Sequence, residues 1–368
     1  MVFSQRSLEG MEIDFWKSRR VFITGHTGFK GSWLAFWLIS MGADVCGYGL
    51  EPITVSNLYE ALKLDREMKS VIADIRDLAS LESAMLEFKP DIVIHMAAQS
   101  LVRFSYENPI ETYAVNVMGT VHVLDVVRRV PNVRAVVCVT SDKCYENREW
   151  IWPYREDEAM GGYDPYSSSK GCAELVTAAY RRSYFDPHQF ATHKVAIGSG
   201  RAGNVIGGGD WALDRLVPDV MRAFASGKTA TVRNPNAIRP WQHVLEPLAG
   251  YLTLAEHLWR EGVVFGGGWN FGPADSDALP VQYVVSELSR LWGKGATWQV
   301  VDEVSHHEAH LLRLDSSKAR ARLGWHPRWK LEDALAKTVQ WYTAFYNGED
   351  VRSSTLDQIQ DFTSLEES

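Results

Sequence analysis

The sequence predicts an α/β fold in which a doubly wound parallel sheet carries a smaller C-terminal α/β lobe. Short apolar runs with strand character alternate with helical segments up to about residue 200. A glycine-rich turn joins the first of these runs to the first long helix. From Arg201 onward the alternation breaks into loops rich in glycine, proline and arginine, with short helices. Alternating strands and helices require a parallel sheet with right-handed crossovers.

The predicted strands are the short apolar runs, and the predicted helices fill the intervals between them. In chain order the strands span 20–24, 44–48, 70–73, 92–96, 135–140 and 194–199. The clearest helices span 32–41, 78–88, 115–129 and 167–184.

The first strand leads directly into the segment GHTGFKG, which opens the first long helix. Gly25 allows a tight turn, Gly28 lets the backbone approach a pyrophosphate, and Gly31 allows close packing of the helix on the sheet. The helix N-terminus supplies free N–H groups and a partial positive charge for phosphates. Strand, loop and helix in this order predict a Rossmann-type dinucleotide-binding domain.

The length of 368 residues allows two domains, and the pattern suggests where they lie. The nucleotide-binding domain is expected over 16–200, with 240–272 returning to it. The smaller lobe, expected to bind the substrate, comprises 201–239 and 273–347. The polar stretch 348–368 is predicted to be a frayed tail.

The end of the second strand predicts which dinucleotide binds, because it should lie near the adenosine ribose. An acidic residue there binds the ribose hydroxyls, whereas a basic one accepts a 2′-phosphate. Glu51 is the nearby carboxylate, and no lysine or arginine follows the strand until Lys63. NAD is therefore favoured over NADP. Asp74 is placed either to bond the adenine amino group or to cap a turn or helix.

Five residues in two motifs carry the predicted chemistry. Tyr166 and Lys170 are four residues apart, so they share one helix face, and the ammonium should lower the tyrosine pKa. Ser141, Asp142 and Lys143 place a hydroxyl, a carboxyl and an amine at the end of the strand that begins at residue 135. A simple alcohol dehydrogenase needs the hydroxyl, tyrosine and lysine but not the extra acid and amine. The surplus pair predicts a second proton transfer, and so an elimination.

Each motif has a simpler explanation when taken alone. The Tyr-x-x-x-Lys spacing arises by chance on amphipathic helices, and Asp142 with Lys143 could be a solvated pair at a strand end. The order of the motifs along the chain, with the glycine loop first, favours catalysis.

The composition is that of a cytoplasmic enzyme with no nucleic-acid or membrane partner. A net charge of −8, from 46 acidic and 38 basic residues, disfavours nucleic acid. No signal peptide or membrane-spanning apolar stretch is apparent. The four cysteines have no metal-type spacing and are expected to be reduced. No metal is predicted, although His306, His307 and His310 form a cluster.

Four segments, GHTGFKGSWL, HMAAQSLVRFSY, TSDKCYEN and RAGNVIGGGDW, resemble the extended short-chain dehydrogenase/reductase family over roughly 16–346. Within it they are similar to the sugar-nucleotide 4,6-dehydratases that act on CDP-glucose. Relatives that act on dTDP-glucose carry Thr-Asp-Glu where this chain has Ser141, Asp142 and Lys143. Lys143 therefore holds the position of their glutamate base.

The resemblance implies an NAD-dependent hydro-lyase of deoxysugar biosynthesis, of the O-antigen type. Tyr166, assisted by Lys170 and Ser141, would take the proton from the 4-hydroxyl as hydride leaves carbon 4 for NAD. Lys143, as the neutral amine, would remove the proton from carbon 5, and a protonated Asp142 would protonate the departing 6-hydroxyl. Hydride would return to carbon 6 and carbon 5 would be reprotonated, giving CDP-4-dehydro-6-deoxy-glucose.

The resemblance also implies two sets of binding residues. Those expected to contact NAD are Gly25, Thr27, Gly28, Phe29, Lys30, Gly31, Asp74, Ile75, Ala97, Ala98, Thr140, Tyr166 and Lys170. Those expected to contact the sugar or its diphosphate are Gln99, Ser100, Arg103, Arg201, Asn204, Arg215 and Arg239. A homodimer or homotetramer is expected, formed by pairing 115–129 and the helix after Tyr166 in a four-helix bundle.

Two alternatives stay open. A sugar-nucleotide 4-epimerase, a reductase or a dehydratase for another nucleotide sugar would also use NAD, Tyr166 and Lys170. A protein of another class, which binds NAD without turnover, would use none of the five residues for chemistry.

Overall fold

The computed structural model describes residues 13–293, 295–301 and 311–364. The strands are β1 (Arg20–Thr24), β2 (Asp44–Gly49), β3 (Lys69–Ile72), β4 (Ile92–His95), β5 (Ala135–Val139), β6 (Ala196–Ala202), β7 (Val205–Ile206), β8 (Ala230–Val232), β9 (Ile238–Pro240), β10 (Gln242–His243), β11 (Gly267–Phe271), β12 (Ala278–Pro280) and β13 (Trp298–Val300).

The helices are α1 (Ile13–Trp16), α2 (Phe29–Ser40), α3 (Leu58–Ala61), α4 (Leu78–Phe88), α5 (Val102–Glu107), α6 (Pro109–Tyr113), α7 (Gly119–Val127), α8 (Pro165–Ser183), α9 (Phe190–His193), α10 (Leu216–Ala225), α11 (Leu245–Glu261), α12 (Val281–Trp292), α13 (Ser317–Leu323), α14 (Leu331–Tyr346) and α15 (Val351–Ser364). A π-helical turn, Ala114–Met118, leads into α7, so the helix predicted over 115–129 is not regular.

Seven parallel strands form the central sheet, in the order β11-β6-β5-β4-β1-β2-β3. The chain order reverses between β1 and β4, which leaves a crevice at the carboxyl ends of these strands. All six predicted strands are present, with ends shifted by up to three residues. The predicted fold class, a doubly wound parallel sheet, is confirmed.

Side chains on successive strand positions pack against helices on opposite faces of the sheet. In β1, Val21 and Ile23 join a core that includes Trp33 of α2 and Leu252 of α11. Phe22, between them, packs into a second core with α4 and α7. The two-residue period of a strand produces this division, and burial on both faces explains why the strands are apolar throughout.

The seventh strand, β11, was not identified as a strand in the sequence. It pairs in parallel with β6, and α11 packs on β5 and β6, so residues of 240–272 return to the sheet. The strand reads GGWNF, and its two glycines hide its β character. Gly268 is required because a Cβ there would lie 2.3 Å from the Arg201 guanidinium.

The smaller lobe is built around two short strands, β8 and β13, which pair in parallel. Helices α10 and α12 pack beside them, and α14 packs on both helices. This arrangement sets α10 and β8 opposite the carboxyl ends of the central strands.

The prediction of a frayed tail is wrong, because α15 is a packed helix. Phe362 is fully buried, with its ring 5.8 Å from Trp37 and 5.2 Å from Trp329. Arg352 forms an ion pair of 2.6 Å with Glu67. The segment is polar on average, but its buried residues recur at helical spacing, which composition alone does not reveal. They are Val351, Thr355, Gln358, Ile359 and Phe362.

Among the described residues, no helix has the length and apolar character needed to cross a membrane. The histidine cluster at His306, His307 and His310 lies outside the described residues.

Candidate active site

A cavity of about 670 Å³ opens at the carboxyl ends of the central strands, where the order of the strands reverses. Its volume is in the range of small-molecule sites. One wall comprises the loops after β1, β2, β4 and β5 together with the start of α8. The opposite wall comprises the start of α10 and residues of β8 and β9. The cavity therefore lies between the sheet and the smaller lobe.

The glycine loop has the backbone geometry that its sequence requires. Gly25 has a φ of 77°, and a Cβ there would lie 2.8 Å from the Ala97 backbone nitrogen. A Cβ on Gly31 would lie 2.1 Å from the Gly25 carbonyl oxygen, so α2 could not approach the loop as closely. At Gly28 the nearest atom would be 3.5 Å away, and this residue caps α2 without a side chain. The α2 N-terminus thus borders open cavity, as a pyrophosphate site requires.

The far end of the loop wall is acidic. Glu51 and Asp74 both line the cavity, and Thr27 supports this wall by donating a 2.7 Å hydrogen bond to the Leu50 carbonyl. Asp74 accepts a 2.8 Å hydrogen bond from the Arg76 backbone and an ion pair from its guanidinium. These hydrogen bonds lower the pKa of Asp74. Asp74 therefore caps a turn, as one of the two predicted roles requires, and it also lines the cavity.

The segment after β5 forms one turn of 3₁₀ helix, Asp142–Cys144, capped by Ser141. The Ser141 hydroxyl accepts a 3.2 Å hydrogen bond from the Lys143 backbone and donates one of 2.9 Å to Asp142 Oδ1. This capping turns the chain sharply at the strand end, which brings three consecutive side chains to one cavity wall. Lys143 is half-buried there, while Ser141 and Asp142 are buried.

The Asp142 carboxyl is placed as a neutral acid would be. Burial raises its pKa, and this effect outweighs the attraction of Lys143 and the hydrogen bond from Ser141. Within the described chain, Oδ2 is buried without a hydrogen-bond partner. A Cβ on Gly203 would lie 2.8 Å from that oxygen, so the glycine makes room for the carboxyl. A buried, unpartnered oxygen is costly unless it is protonated or meets a ligand.

The local sequence places Tyr166 on the first turn of α8. Asp164 caps this helix by accepting hydrogen bonds from the Ser167 backbone (2.9 Å) and hydroxyl (2.5 Å), and Pro165 is its first residue. Tyr166 and Lys170 then lie one turn apart, both buried.

The expectation that Lys170 lowers the pKa of Tyr166 is not met in the structure. Burial raises the pKa of Tyr166 to about 12, although the hydrogen bond with Ser141 and the charge of Arg215 act to lower it. Burial likewise lowers the pKa of Lys170 to about 8. Desolvation is the largest influence on the pKa of each group, and at Tyr166 it favours the phenol over the phenolate.

Lys30 adds a second buried ammonium to this end of the cavity. Its Nζ donates a 3.1 Å hydrogen bond to the Tyr251 hydroxyl. Burial, together with the charges of Lys170 and Arg215, lowers its pKa to about 7. The glycine loop therefore contributes a titratable group as well as a phosphate cradle.

Most of the residues predicted to be catalytic or to bind NAD or the substrate line this one cavity. They are Gly25, Thr27, Gly28, Phe29, Lys30, Gly31, Asp74, Ile75, Ala97, Ala98, Ser100, Arg103, Thr140, Ser141, Asp142, Lys143, Tyr166, Lys170, Asn204, Arg215 and Arg239.

Among the predicted substrate residues that line the cavity, Arg215 is held by two side chains. Its guanidinium donates 2.8 Å hydrogen bonds to Asp210 Oδ2 and to the Ser100 hydroxyl. Arg103 forms a 3.4 Å ion pair with Asp214. Arg239 acts electrostatically on Asp142, which places its charge near the 3₁₀ turn Asp142–Cys144. These cations come from α5, the start of α10 and β9.

Two predicted substrate residues do not line the cavity. Arg201, in β6, is buried and forms a 2.8 Å ion pair with Glu174, so the prediction that it binds the diphosphate is wrong for this structure. Gln99 turns away from the cavity and donates hydrogen bonds to the Thr112 hydroxyl and the Leu101 carbonyl. The sequence motifs that contain Arg201 and Gln99 suggested that both side chains face the cavity. In the structure, β6 directs Arg201 toward Glu174, and the loop after β4 directs Gln99 toward Thr112.

Two buried polar residues were missed. Asn116, in the π-helical turn, donates to the Gln99 carbonyl (2.9 Å) and the Ser169 hydroxyl (2.8 Å), and so ties the loop after β4 to α8. Glu174 lies one turn beyond Lys170 on the same face. The sequence held a signal for each residue. Asn116 is an asparagine inside an apolar helical run, and Glu174 continues the four-residue spacing of Tyr166 and Lys170.

Comparisons with known proteins agree with this architecture. A family model for GDP-mannose 4,6 dehydratase matches residues 22–338. A CDP-glucose 4,6-dehydratase of Salmonella typhimurium is 56% identical, over 95% of this chain and 98% of the relative. A UDP-glucose 4-epimerase of Mycolicibacterium smegmatis is 28% identical, over 88% and 98%.

A solved structure has the same fold at low sequence identity. It is a dTDP-glucose 4,6-dehydratase of Bacillus anthracis in complex with NAD, with a TM-score of 0.74 and 22% identity, covering 90% of this chain and 99% of that one. On the family match and the 56% identity, the chain belongs to the GDP-mannose 4,6 dehydratase family, the sugar-nucleotide dehydratases and epimerases of the extended short-chain dehydrogenase/reductase type.

Proposed function

We propose that this protein is an NAD-dependent hydro-lyase that converts CDP-glucose to CDP-4-dehydro-6-deoxy-glucose. The observation that carries the proposal is the buried Asp142 carboxyl, whose Oδ2 has no partner among the described residues, beside Lys143 and the Tyr166–Lys170 pair. An oxidoreductase or epimerase has no use for that extra acid and amine. The 56% identity to a CDP-glucose 4,6-dehydratase supports the same reaction and the same nucleotide.

The residues of the loop wall fit NAD. The open α2 N-terminus at Gly28 suits the pyrophosphate, and the carboxylates of Glu51 and Asp74 suit the adenosine. When bound, NAD supplies a positively charged ring that accepts hydride from carbon 4, favours the nearby phenolate and returns the hydride to carbon 6.

In the oxidation step, Tyr166 removes the proton of the 4-hydroxyl and Ser141 hydrogen-bonds the same oxygen. Lys170, one turn away, holds positive charge under the phenolate as it forms. Because burial raises the pKa of Tyr166 to about 12, positive charge beside the phenol is needed to favour the phenolate.

In the elimination step, Lys143 takes the proton at carbon 5, which the 4-ketone acidifies. Asp142 donates a proton to the 6-hydroxyl so that water departs. Burial raises the pKa of Asp142, which favours the protonated acid that this donation requires. Two neighbouring residues on one helical turn thus address adjacent carbons.

The substrate diphosphate fits between the two walls. Arg215 and Arg239 line the cavity, as does Arg103 from α5. Planar guanidinium groups suit bidentate phosphate recognition. The nucleoside then lies toward α10 and β8, away from the catalytic turn.

The test is a screen of the purified protein with CDP-, dTDP-, UDP- and GDP-sugars, reading the 4-keto product by its absorbance in alkali. Product from CDP-glucose in preference to the others is expected. An epimerised sugar without loss of water would support the epimerase alternative, and no turnover with any sugar would support a non-catalytic NAD-binding protein.

NAD is expected to bind at least about tenfold more tightly than NADP, or about 1.4 kcal/mol. A 2′-phosphate would face the carboxylates of Glu51 and Asp74, and the nearby Arg76 is already paired with Asp74. Calorimetry on cofactor-stripped protein measures both affinities. Equal affinities would contradict the assignment of the ribose pocket.

The homodimer or homotetramer predicted from the sequence is proposed to form through α7, the π-helical turn before it and α8. Apolar side chains on these elements are exposed, among them Met118 (47%) and Leu175 (60%). Light scattering should report a dimer or tetramer, and Leu175→Glu should weaken it. A wild-type monomer at micromolar concentration would contradict the proposal. The cytoplasmic location stays a prediction.

A further inference from the structure

The ion pair between Glu174 and Arg201 lies directly behind the catalytic groups. Glu174 is four residues after Lys170 and eight after Tyr166, so the three side chains share one face of α8. All three are buried, as is Arg201 on β6. Arg201 joins Glu174 through two hydrogen bonds, from Nε to Oε1 (2.9 Å) and from Nη2 to Oε2 (2.8 Å).

The Glu174 carboxylate also binds the residue that precedes the catalytic turn. Thr140 donates its hydroxyl to Oε1 at 2.5 Å, and its backbone N–H is held by the Gly200 carbonyl. Ser199 donates to Oε2 at 2.8 Å. Burial opposes ionisation of Glu174, but the charge of Arg201 and these hydrogen bonds outweigh it and lower the pKa.

Arg201 in turn binds the residue that follows the catalytic turn. Its Nη1 donates a 2.7 Å hydrogen bond to the Tyr145 hydroxyl, which itself donates to Asn270 Oδ1 at 2.7 Å. The same Nη1 donates to the Glu156 carbonyl at 3.0 Å. One buried ion pair is therefore attached to the chain on both sides of Ser141, Asp142 and Lys143.

We propose that Glu174 and Arg201 are positioning residues, which fix the turn bearing Ser141, Asp142 and Lys143 relative to the helix face bearing Tyr166 and Lys170. This proposal rests on the proposed function in one respect: the dehydratase reaction is the activity by which the variants are compared. Buried ion pairs are weak contributors to stability, so geometry is the better explanation for this one. Its contacts reach Thr140 and Tyr145, on either side of the four-residue segment 141–144. An error of about 1 Å in that segment can cost on the order of 10²-fold in rate.

The test compares two variants, each of which removes one of the hydroxyl groups that donate to the Glu174 carboxylate. Thr140→Val removes the donor that leads to the catalytic turn, and Ser199→Ala is the matched control, since it removes a donor that leads only to β6. We expect Thr140→Val to lower kcat, expressed per molecule of bound NAD, about tenfold or more, with KM for CDP-glucose little changed; the rate is expressed per bound NAD because Thr140 also lines the cavity wall expected to hold NAD. Ser199→Ala should lower kcat by less than about threefold, and Thr140→Ser, which keeps the hydroxyl, should recover most of the activity.

Tyr145→Phe tests the contact on the C-terminal side of the turn, and Glu174→Gln tests the negative charge of the Glu174 carboxylate. Both are expected to lower kcat while KM stays near that of the wild type, and Glu174→Gln should have the larger effect. If Glu174→Gln does not fold, the hydroxyl variants still decide the question. Equal losses in Thr140→Val and Ser199→Ala, no loss in Thr140→Val, or losses confined to KM would overturn the proposal.

The same variants separate this inference from the proposed function. If the wild type makes no 4-keto-6-deoxy product, the dehydratase assignment fails. The variants are then compared by the rate of NAD reduction on whichever sugar nucleotide the wild type oxidises, or by that of epimerisation. If the wild type is active and Thr140→Val equals it, only the positioning role fails.

Discussion

Tyr166→Phe is expected to abolish the reaction at its first step, with a loss of about 10²–10⁴-fold in kcat. The substitution removes the phenolic oxygen that would take the proton of the 4-hydroxyl and leaves a ring of nearly the same size. Neither reduced cofactor nor 4-keto product should accumulate. The measurement is a single-turnover reaction with CDP-glucose, following the absorbance of reduced nicotinamide and the alkaline absorbance of the product.

Tyr184→Phe provides the matched control for this prediction. Tyr184 lies at the opposite end of α8 and is half-exposed, so the loss of its hydroxyl should leave the reaction unchanged. Nucleotide-sugar affinity should be similar in both variants and the wild type. Retention of more than about a tenth of the activity in Tyr166→Phe would assign the base to another residue.

Lys143→Met is expected to retain the oxidation and lose the elimination. Ser141, Tyr166 and Lys170 remain, so enzyme-bound reduced cofactor and a 4-keto sugar should still form. Without the amine, deuterium from solvent should not enter carbon 5, and formation of 6-deoxy product should fall by about 10² or more. Mass spectrometry of the sugar and cofactor absorbance measure the two steps separately.

Asp142→Asn divides the elimination further, because it removes the acid and leaves the base. This variant should also stall before water departs, but it should still exchange the hydrogen at carbon 5 through Lys143. Normal turnover in both variants would mean that the pair is idle and that the dehydratase assignment is wrong. Loss of oxidation in both would mean that the pair supports Tyr166 instead.

The burial of the proposed catalytic groups gives these experiments a physical rationale. Asp142, Tyr166 and Lys170 each have a pKa displaced toward the neutral form, and burial is the largest cause in each case. Burial therefore favours the carboxylic acid at Asp142, the phenol at Tyr166 and the amine at Lys170 over their charged forms.

Local sequence determined the features that depend on neighbouring residues. The glycine spacing predicted the loop, because backbone contacts as close as 2.1 Å at Gly31 leave no room for a side chain. The apolar runs predicted six of the seven central strands. The four-residue spacing of Tyr166 and Lys170 predicted a shared helix face, since α-helical periodicity is independent of tertiary context.

The tertiary structure decided which side chains face the cavity and how strongly they are desolvated. Arg201 looked like a phosphate ligand, yet β6 turns it toward Glu174 on α8, a pairing across 27 residues of chain. The seventh strand was not predicted because its glycines lower its β propensity, and α15 was not predicted as a packed helix because its composition is polar. Each is buried only by contacts with elements that are distant in the sequence. The rise in the pKa of Tyr166 was likewise missed. Desolvation depends on every element packed around a group, whereas residue spacing reports only the neighbours along its own helix.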